Sequence, residues 1–225
     1  MFAMENAGSK SEKQLEQWLR SRAPDGFFTW ADELQAARRF GLTVKEVEAI
    51  ALARDLLPLR YQRNAKCFDA RQQLHLLRSS VAVVGCGGLG GYLVETLSRL
   101  GVGRLTVIDP DRFEEYNLNR QLLCSLDDLG SPKVEVARKR VAAVNPAVEL
   151  VPVQEAFDEQ NGERLLGGHD AAGDALVGGA GDEDGGAQLA VQSLDAAGDV
   201  GRVADGRVLG AGLVADAADE RHPGV

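Results

Sequence analysis

The sequence predicts an α/β fold, a doubly wound and mostly parallel sheet, preceded by a small helical segment and followed by a poorly ordered tail. Three observations predict it. Short apolar runs alternate with helical patterns between residues 60 and 172, a glycine-rich turn joins the first such run to the first helix, and the composition changes abruptly at residue 173. Alternating strand and helix patterns are the signature of a sheet wound with right-handed crossovers.

Residues 1–57 form the first segment. Thr29 or Asp32 caps a helix reaching Arg39, and Gly41 ends it. Thr43 caps a second helix, with Glu46 at the capping-box position and Val44, Val47, Ile50 and Ala51 on one face, before Pro58. Two short helices about a glycine resemble a helix-turn-helix unit. The pair lacks a basic recognition face, since Lys45 shares it with Glu46 and Glu48, so a packing or dimer-contact role is expected rather than DNA binding.

Residues 58–172 carry the nucleotide-binding pattern. Val81–Val84 reads as a buried parallel strand, Leu89–Leu100 as a helix, Leu105–Ile108 as a strand, Val134–Val144 as a helix and Val148–Val153 as a strand. A further short helix is expected over Gln160–Leu166. Residues 173–225 hold 12 Gly, 11 Ala and 8 Asp with no aromatic residue, too little large apolar surface to offset the entropy of ordering them. This abrupt change suggests a chain truncated or altered after about residue 172, for instance by a frameshift.

Composition removes several classes. The net charge is −9 over 225 residues, and residues 173–225 contribute ten acids against three arginines. The body is nearly neutral, which speaks against a protein that binds nucleic acid mainly through phosphates. No run approaches the length of a membrane helix, and the first residues, MFAMENAGSKSEKQ, do not read as a secretory signal, so no membrane partner and a cytoplasmic location are expected. Cys67, Cys86 and Cys124 form no Cys-x-x-Cys pair, which points away from disulfides and zinc.

The chemistry centres on Gly85-Cys86-Gly87-Gly88-Leu89-Gly90, set between the first strand and its helix. Such a turn lets backbone N–H groups approach phosphate, and the helix N-terminus adds positive potential. Asp109 ends the next strand, where a ribose presents its hydroxyls in Rossmann-like folds. Asp109-Pro110-Asp111, Asn117-Leu118-Asn119-Arg120-Gln121 and Ser131-Pro132-Lys133 follow. Arg120 and Lys133 supply two cations near the loop, which suits a triphosphate. A nicotinamide-dependent oxidoreductase on the same fold explains the glycines and Asp109 but leaves these cations without a purpose. A non-catalytic nucleotide-binding remnant is the third reading.

With these blocks and Arg60-Tyr61-Gln62-Arg63-Asn64 upstream, the sequence resembles the ThiF/MoeB/HesA family, the bacterial relatives of ubiquitin-activating enzymes. That resemblance implies ATP-dependent adenylation of the C-terminal carboxylate of a ubiquitin-like or sulfur-carrier protein, with Mg²⁺ and a homodimer. It implies that Gly85, Gly87, Gly88 and Gly90 admit ATP, that Asp109, beside Asp111, holds the ribose, and that Asn117, Arg120, Gln121 and Lys133 meet the phosphates. Arg63 matches an arginine that reaches the partner's nucleotide. Asp174 matches the first acid of the family's magnesium motif, while Val177 stands where its second acid is expected.

Overall fold

The computed structural model describes residues 2–158, 160–174 and 190–193, with the backbone alone at 2–10, 173–174 and 190–193. It divides into two units. The first comprises described residues to Ser79 together with Glu95–Leu105 and Lys139–Leu150. The second comprises Ser80–Val94, Thr106–Arg138 and the described residues from Val151 onward.

The first unit begins with α1 (Phe2–Arg20), a two-residue strand β1 (Phe27–Phe28), α2 (Trp30–Phe40), α3 (Val44–Leu52), β2 (Leu57–Pro58), two 3₁₀ turns at Leu59–Tyr61 and Asn64–Lys66, and α4 (Ala70–Arg78). Local chemistry sets the helix starts. Thr29 with Asp32, Thr43 with Glu46 and Asp69 with Gln72 each form a capping box, in which side chains and backbone N–H groups satisfy one another. Gly41, at φ 66°, closes α2. Both expected N-terminal helices are therefore present, and a further helix not identified from the sequence, α1, precedes them from Phe2. Lys45 donates to the carbonyl of Gly103 at 2.7 Å, so the helix pair spends its one lysine on internal packing.

Two apolar clusters build this unit. Leu15, Trp18, Leu19, Phe28, Ala36, Val47, Ala51 and Leu56 form one; Leu52, Ala70, Leu74, Leu77 and Ala147 form the other. Between helices lies a buried polar knot. Glu33 of α2 and Glu48 of α3, both 0% exposed, each pair with the guanidinium of Arg60. Tyr61 faces Glu48 and accepts a 2.7 Å bond from the Asn145 amide. Burial pushes the Glu33 carboxyl up to about 9, and the neighbouring Glu48 charge adds to the rise. One guanidinium serves two buried carboxyls, so the knot reaches neutrality by keeping a proton.

The second unit holds β3 (Ser80–Val84), β6 (Ala171–Asp174) and β7 (Ala190–Ser193), the N-terminal part of α5 (Gly88–Leu100) and of α6 (Lys133–Val144), and α7 (Gly162–Leu166). The larger parts of β4 (Arg104–Ile108) and β5 (Glu149–Val153) also belong to it. The sheet order is β5-β4-β3-β6-β7, with β6 parallel to β3 and β7 antiparallel to β6. The chain winds from β3 outward through β4 to β5, then crosses back to the other side of β3. Such reversals leave a crevice beyond the strands' carboxyl ends. Ala82, Val84, Ile108, Leu165, Leu166 and Ala172 form the core here.

The predicted strands and helices of residues 81–166 are all found, within two residues at each end. The expected tail lies almost entirely outside the described residues. Where it is described, at 173–174 and 190–193, it pairs as strand, and the fold's boundary extends past 172. Backbone ladder bonds need no large side chains, which is why a composition poor in apolar bulk did not announce these strands.

Candidate nucleotide site

β3 ends at Val84 and the glycine loop begins. Gly85 has φ 87°, a conformation that glycine alone adopts freely, and its N–H donates to the carbonyl of Ile108 at 2.8 Å. The loop is then latched by Asp109, just past β4. One carboxylate oxygen accepts the Cys86 N–H at 2.6 Å, and the other accepts the Asp111 N–H at 2.8 Å. Asp109 is only 4% exposed. A carboxylate has roughly four lone-pair sites, so it retains capacity for further donors. Its latch role was not evident from the sequence; the spacing to Cys86 appears only when β3 and β4 pair.

Cys86 is buried, and burial with the nearby Asp109 charge pushes its thiol up to about 12, so it fills space as a neutral group. Cys124 is likewise held above the ordinary thiol range by burial and Asp128, which leaves it a poor nucleophile.

α5 opens at Gly88, and its first N–H groups have no partner within the helix. The segment 117–121 lies directly over this opening. A Cβ added at Gly87 would lie 3.6 Å from the Gln121 Nε2, and one at Gly88 would lie 3.9 Å from the Arg120 carbonyl. At Gly91 it would meet Leu123 at 3.3 Å. Gly90 is buried within the same turn. Only the Gly91 contact is tight; at Gly87 and Gly88 a Cβ would make ordinary contact with the covering segment.

Gln121 is 8% exposed, and its Oε1 is buried with no hydrogen-bond partner among the described residues. An orphaned buried acceptor costs about 1–3 kcal/mol unless something supplies a donor. Asn117, 2% exposed, spends its Oδ1 on the Glu114 N–H at 2.9 Å, which shapes the turn. Arg120 is exposed; its guanidinium donates to the Tyr116 carbonyl at 2.8 Å and to Asn119 at 2.9 Å.

Lys133 begins α6 and is 5% exposed. Its ammonium bonds the Asp111 carboxylate at 2.9 Å, and its backbone N–H donates to the Asp111 carbonyl at 3.0 Å. Asp111 and Asp109 connect this ammonium to the loop, since the Asp109 carboxylate accepts both the Asp111 and the Cys86 N–H. Asp111 is the exposed member of the pair, its side chain 62% accessible.

Gly85, Gly87, Gly88, Gly90, Asp109, Asp111, Asn117, Arg120, Gln121 and Lys133 all lie in the second unit, but Arg120 brings only its backbone carbonyl to the loop while its guanidinium is held by Tyr116 and Asn119. Arg63 does not join them. It lies on the exposed turn after Tyr61 in the first unit, with no side-chain hydrogen bond or ion pair among the described residues. The glycine turn and the nearly buried ammonium fit the phosphates of a nucleotide, and the orphaned Gln121 acceptor, which needs a donor, fits its hydroxyl or amine groups instead. A metal is less well provided for: among the described residues no group of three His, Cys, Asp or Glu is placed to hold one, and Val177 lies outside them.

The chain is similar in sequence and fold to known proteins. The SAMP-activating enzyme E1 of Haloferax volcanii is 43% identical over 103 residues, covering 46% of this chain and 38% of its own length. The sulfur carrier protein adenylyltransferase of Thermus thermophilus is 42% identical over 103 residues, covering 46% of this chain and 38% of its own. Among solved structures, the E. coli tRNA N6-threonylcarbamoyladenosine dehydratase in complex with ATP superimposes with a TM-score of 0.51 at 29% identity, over 52% of this chain and 49% of that one. The chain spans less than half the length of each of these relatives. The ThiF family matches residues 61–176, just over half of the sequence, and the protein belongs to that family.

Proposed function

We propose that this protein adenylates the C-terminal carboxylate of a ubiquitin-like or sulfur-carrier protein, using ATP. One carboxylate oxygen attacks the α-phosphorus, the bond from that phosphorus to the bridging oxygen breaks, and pyrophosphate leaves with its electron pair. The products are an acyl-adenylate and pyrophosphate. Two relatives are an E1-type activating enzyme and a carrier adenylyltransferase by name, and a solved structure on the same fold holds ATP.

The residues divide the work by their chemistry. The N–H groups opening α5 and the Gly85–Gly90 turn receive phosphate oxygens. Asp109 accepts from the ribose hydroxyls with its remaining lone pairs, with Asp111 at the mouth. Lys133 and Arg120 neutralise charge developing on the leaving pyrophosphate, and Gln121 and Asn117 keep the covering segment in register. Arg63 serves the nucleotide of a second copy in a homodimer. Mg²⁺ would offset triphosphate charge, and no step is assigned to it here. The reaction is set in the cytoplasm, which supplies ATP, without membrane or nucleic-acid partners.

The observation that carries this reading is the nearly buried Lys133 ammonium, tied through Asp111 and Asp109 to the glycine turn that opens α5. A dehydratase acting on tRNA is the competing substrate class suggested by the solved relative, but the near-neutral body offers little for a phosphate backbone. Carrier-dependent exchange of labelled pyrophosphate into ATP tests the proposal, and exchange is expected. Thermal stabilisation by NAD but not by ATP would instead favour an oxidoreductase, and ATP binding without exchange would favour a non-catalytic remnant.

A further inference from the structure

Arg63 stands out in the first unit because its neighbours are so heavily fixed. Three residues before it, Arg60 is gripped by Glu33 from α2 and by Glu48 from α3. The same guanidinium lies 5.5 Å from the Trp30 ring and 5.4 Å from the Tyr61 ring. Tyr61 is 0% exposed and bonded by Asn145, which also donates to the Ser98 carbonyl at 2.9 Å. Immediately after Arg63, the Asn64 amide meets Gln73 at 3.5 Å, and Gln73 in turn donates to the Leu100 carbonyl at 2.7 Å. Both ends of the turn are tied down, while the guanidinium between them is exposed and unpaired among the described residues.

Two buried carboxyls on one arginine are an expensive way to stabilise a fold, since an apolar replacement of equal volume is often neutral or better. A planar guanidinium held from two sides does fix direction well. We propose that Glu33 and Glu48 are positioning residues for adenylation: by holding Arg60 from two helices, they set the turn that presents Arg63 to a second copy's nucleotide. The inference rests on the adenylation reading above. Arg60 and Tyr61 are the charged or titratable groups that face the two carboxyls.

The test is pyrophosphate exchange by the full chain as E33Q, E33Q/E48Q, R63A and E33Q/E48Q/R63A, each checked for a cooperative thermal transition. E33Q removes one of the two holds on Arg60 and is expected to lose activity by a smaller factor than the double variant. E33Q/E48Q preserves volume but removes both carboxyls, and a loss of about tenfold is expected, read mainly in kcat. That loss should vanish when Arg63 is already alanine, because the carboxyls act through it. A second readout is the rate of trypsin cleavage after Arg63, which should rise in E33Q/E48Q before other sites open. Losses that add independently to R63A, with unchanged cleavage, would overturn the proposal while leaving the adenylation reading intact. A wild-type chain that gives no exchange would bring down that reading, and the proposal with it.

Discussion

In the first unit, Glu33, Glu48, Arg60, Tyr61 and Asn145 find their partners among one another and the nearby backbone. In the second, Gln121 keeps an acceptor buried without a donor among the described residues, and Lys133 is paired with a carboxylate whose side chain is 62% accessible. Both regions bury charge, but only one closes its hydrogen-bond accounts. A closed polar network fixes geometry; an open one beside a helix N-terminus leaves donors and acceptors for a group from outside the chain. The difference separates structural from binding polarity without reference to any relative.

The largest expected effect breaks the closed region. A Cβ at Gly103 would lie 1.7 Å from the Leu77 carbonyl oxygen, a backbone atom with no rotamer to yield. Gly103 also donates to the Leu76 carbonyl and accepts from Lys45 and the Glu149 N–H. Gly103→Ala should therefore cost more than about 4 kcal/mol, enough to remove most of a marginal domain's stability. Urea unfolding reads this; a midpoint shift of less than half a molar would contradict the packing described.

The open region should lose binding rather than stability. Lys133→Ala removes a charge-assisted donor of the kind worth about 1.5–3 kcal/mol, so ATP affinity should fall roughly ten- to a hundredfold. Calorimetric titration measures it. Equal affinity in variant and wild type would mean that Lys133 serves only Asp111.

A smaller effect titrates the contrast. The folded protein holds Glu33's proton up to about 9, whereas the unfolded chain releases it near the ordinary 4.5. Across that window the native state binds more protons, so stability is fully present below the unfolded value and is lost as pH rises through the folded one. Melting temperature should decline from pH 5 to 9 in the wild type and flatten in E33Q. A decline of equal slope in both would assign it to other groups.

Legibility in the sequence followed how local the deciding physics was. Val81–Val84, the glycine turn and the helix at Lys133–Val144 declare themselves through period and composition within a dozen residues. α4 does not, because its buried face includes Gln73, 1% exposed, whose amide bonds the Leu100 carbonyl and breaks the apolar period. The sequence gives no sign that Glu33 and Glu48 are buried, because the arginine that makes their burial tolerable lies 12 or more residues away. In the site, the glycines, Asp109 and Lys133 were legible as types. The latch from Asp109 to Cys86 spans 23 residues and depends on strand pairing that no spacing encodes.

The smallest expected effect lies at a helix start, where sequence and structure agree completely. Thr43 Oγ1 accepts the Glu46 N–H at 3.2 Å, and the Glu46 carboxylate accepts the Thr43 N–H at 2.7 Å. These backbone and side-chain bonds hold the Glu46 carboxyl below its ordinary range. Thr43→Ala removes one arm of the box and should cost about 1 kcal/mol. The arms are reciprocal, since Thr43 Oγ1 also meets the Glu46 carboxylate at 2.8 Å. The double variant T43A/E46A should therefore lose less than the sum of the two single changes. Strict additivity in thermal unfolding would show that the two bonds form independently, and that α3 is started by its packing rather than by its cap.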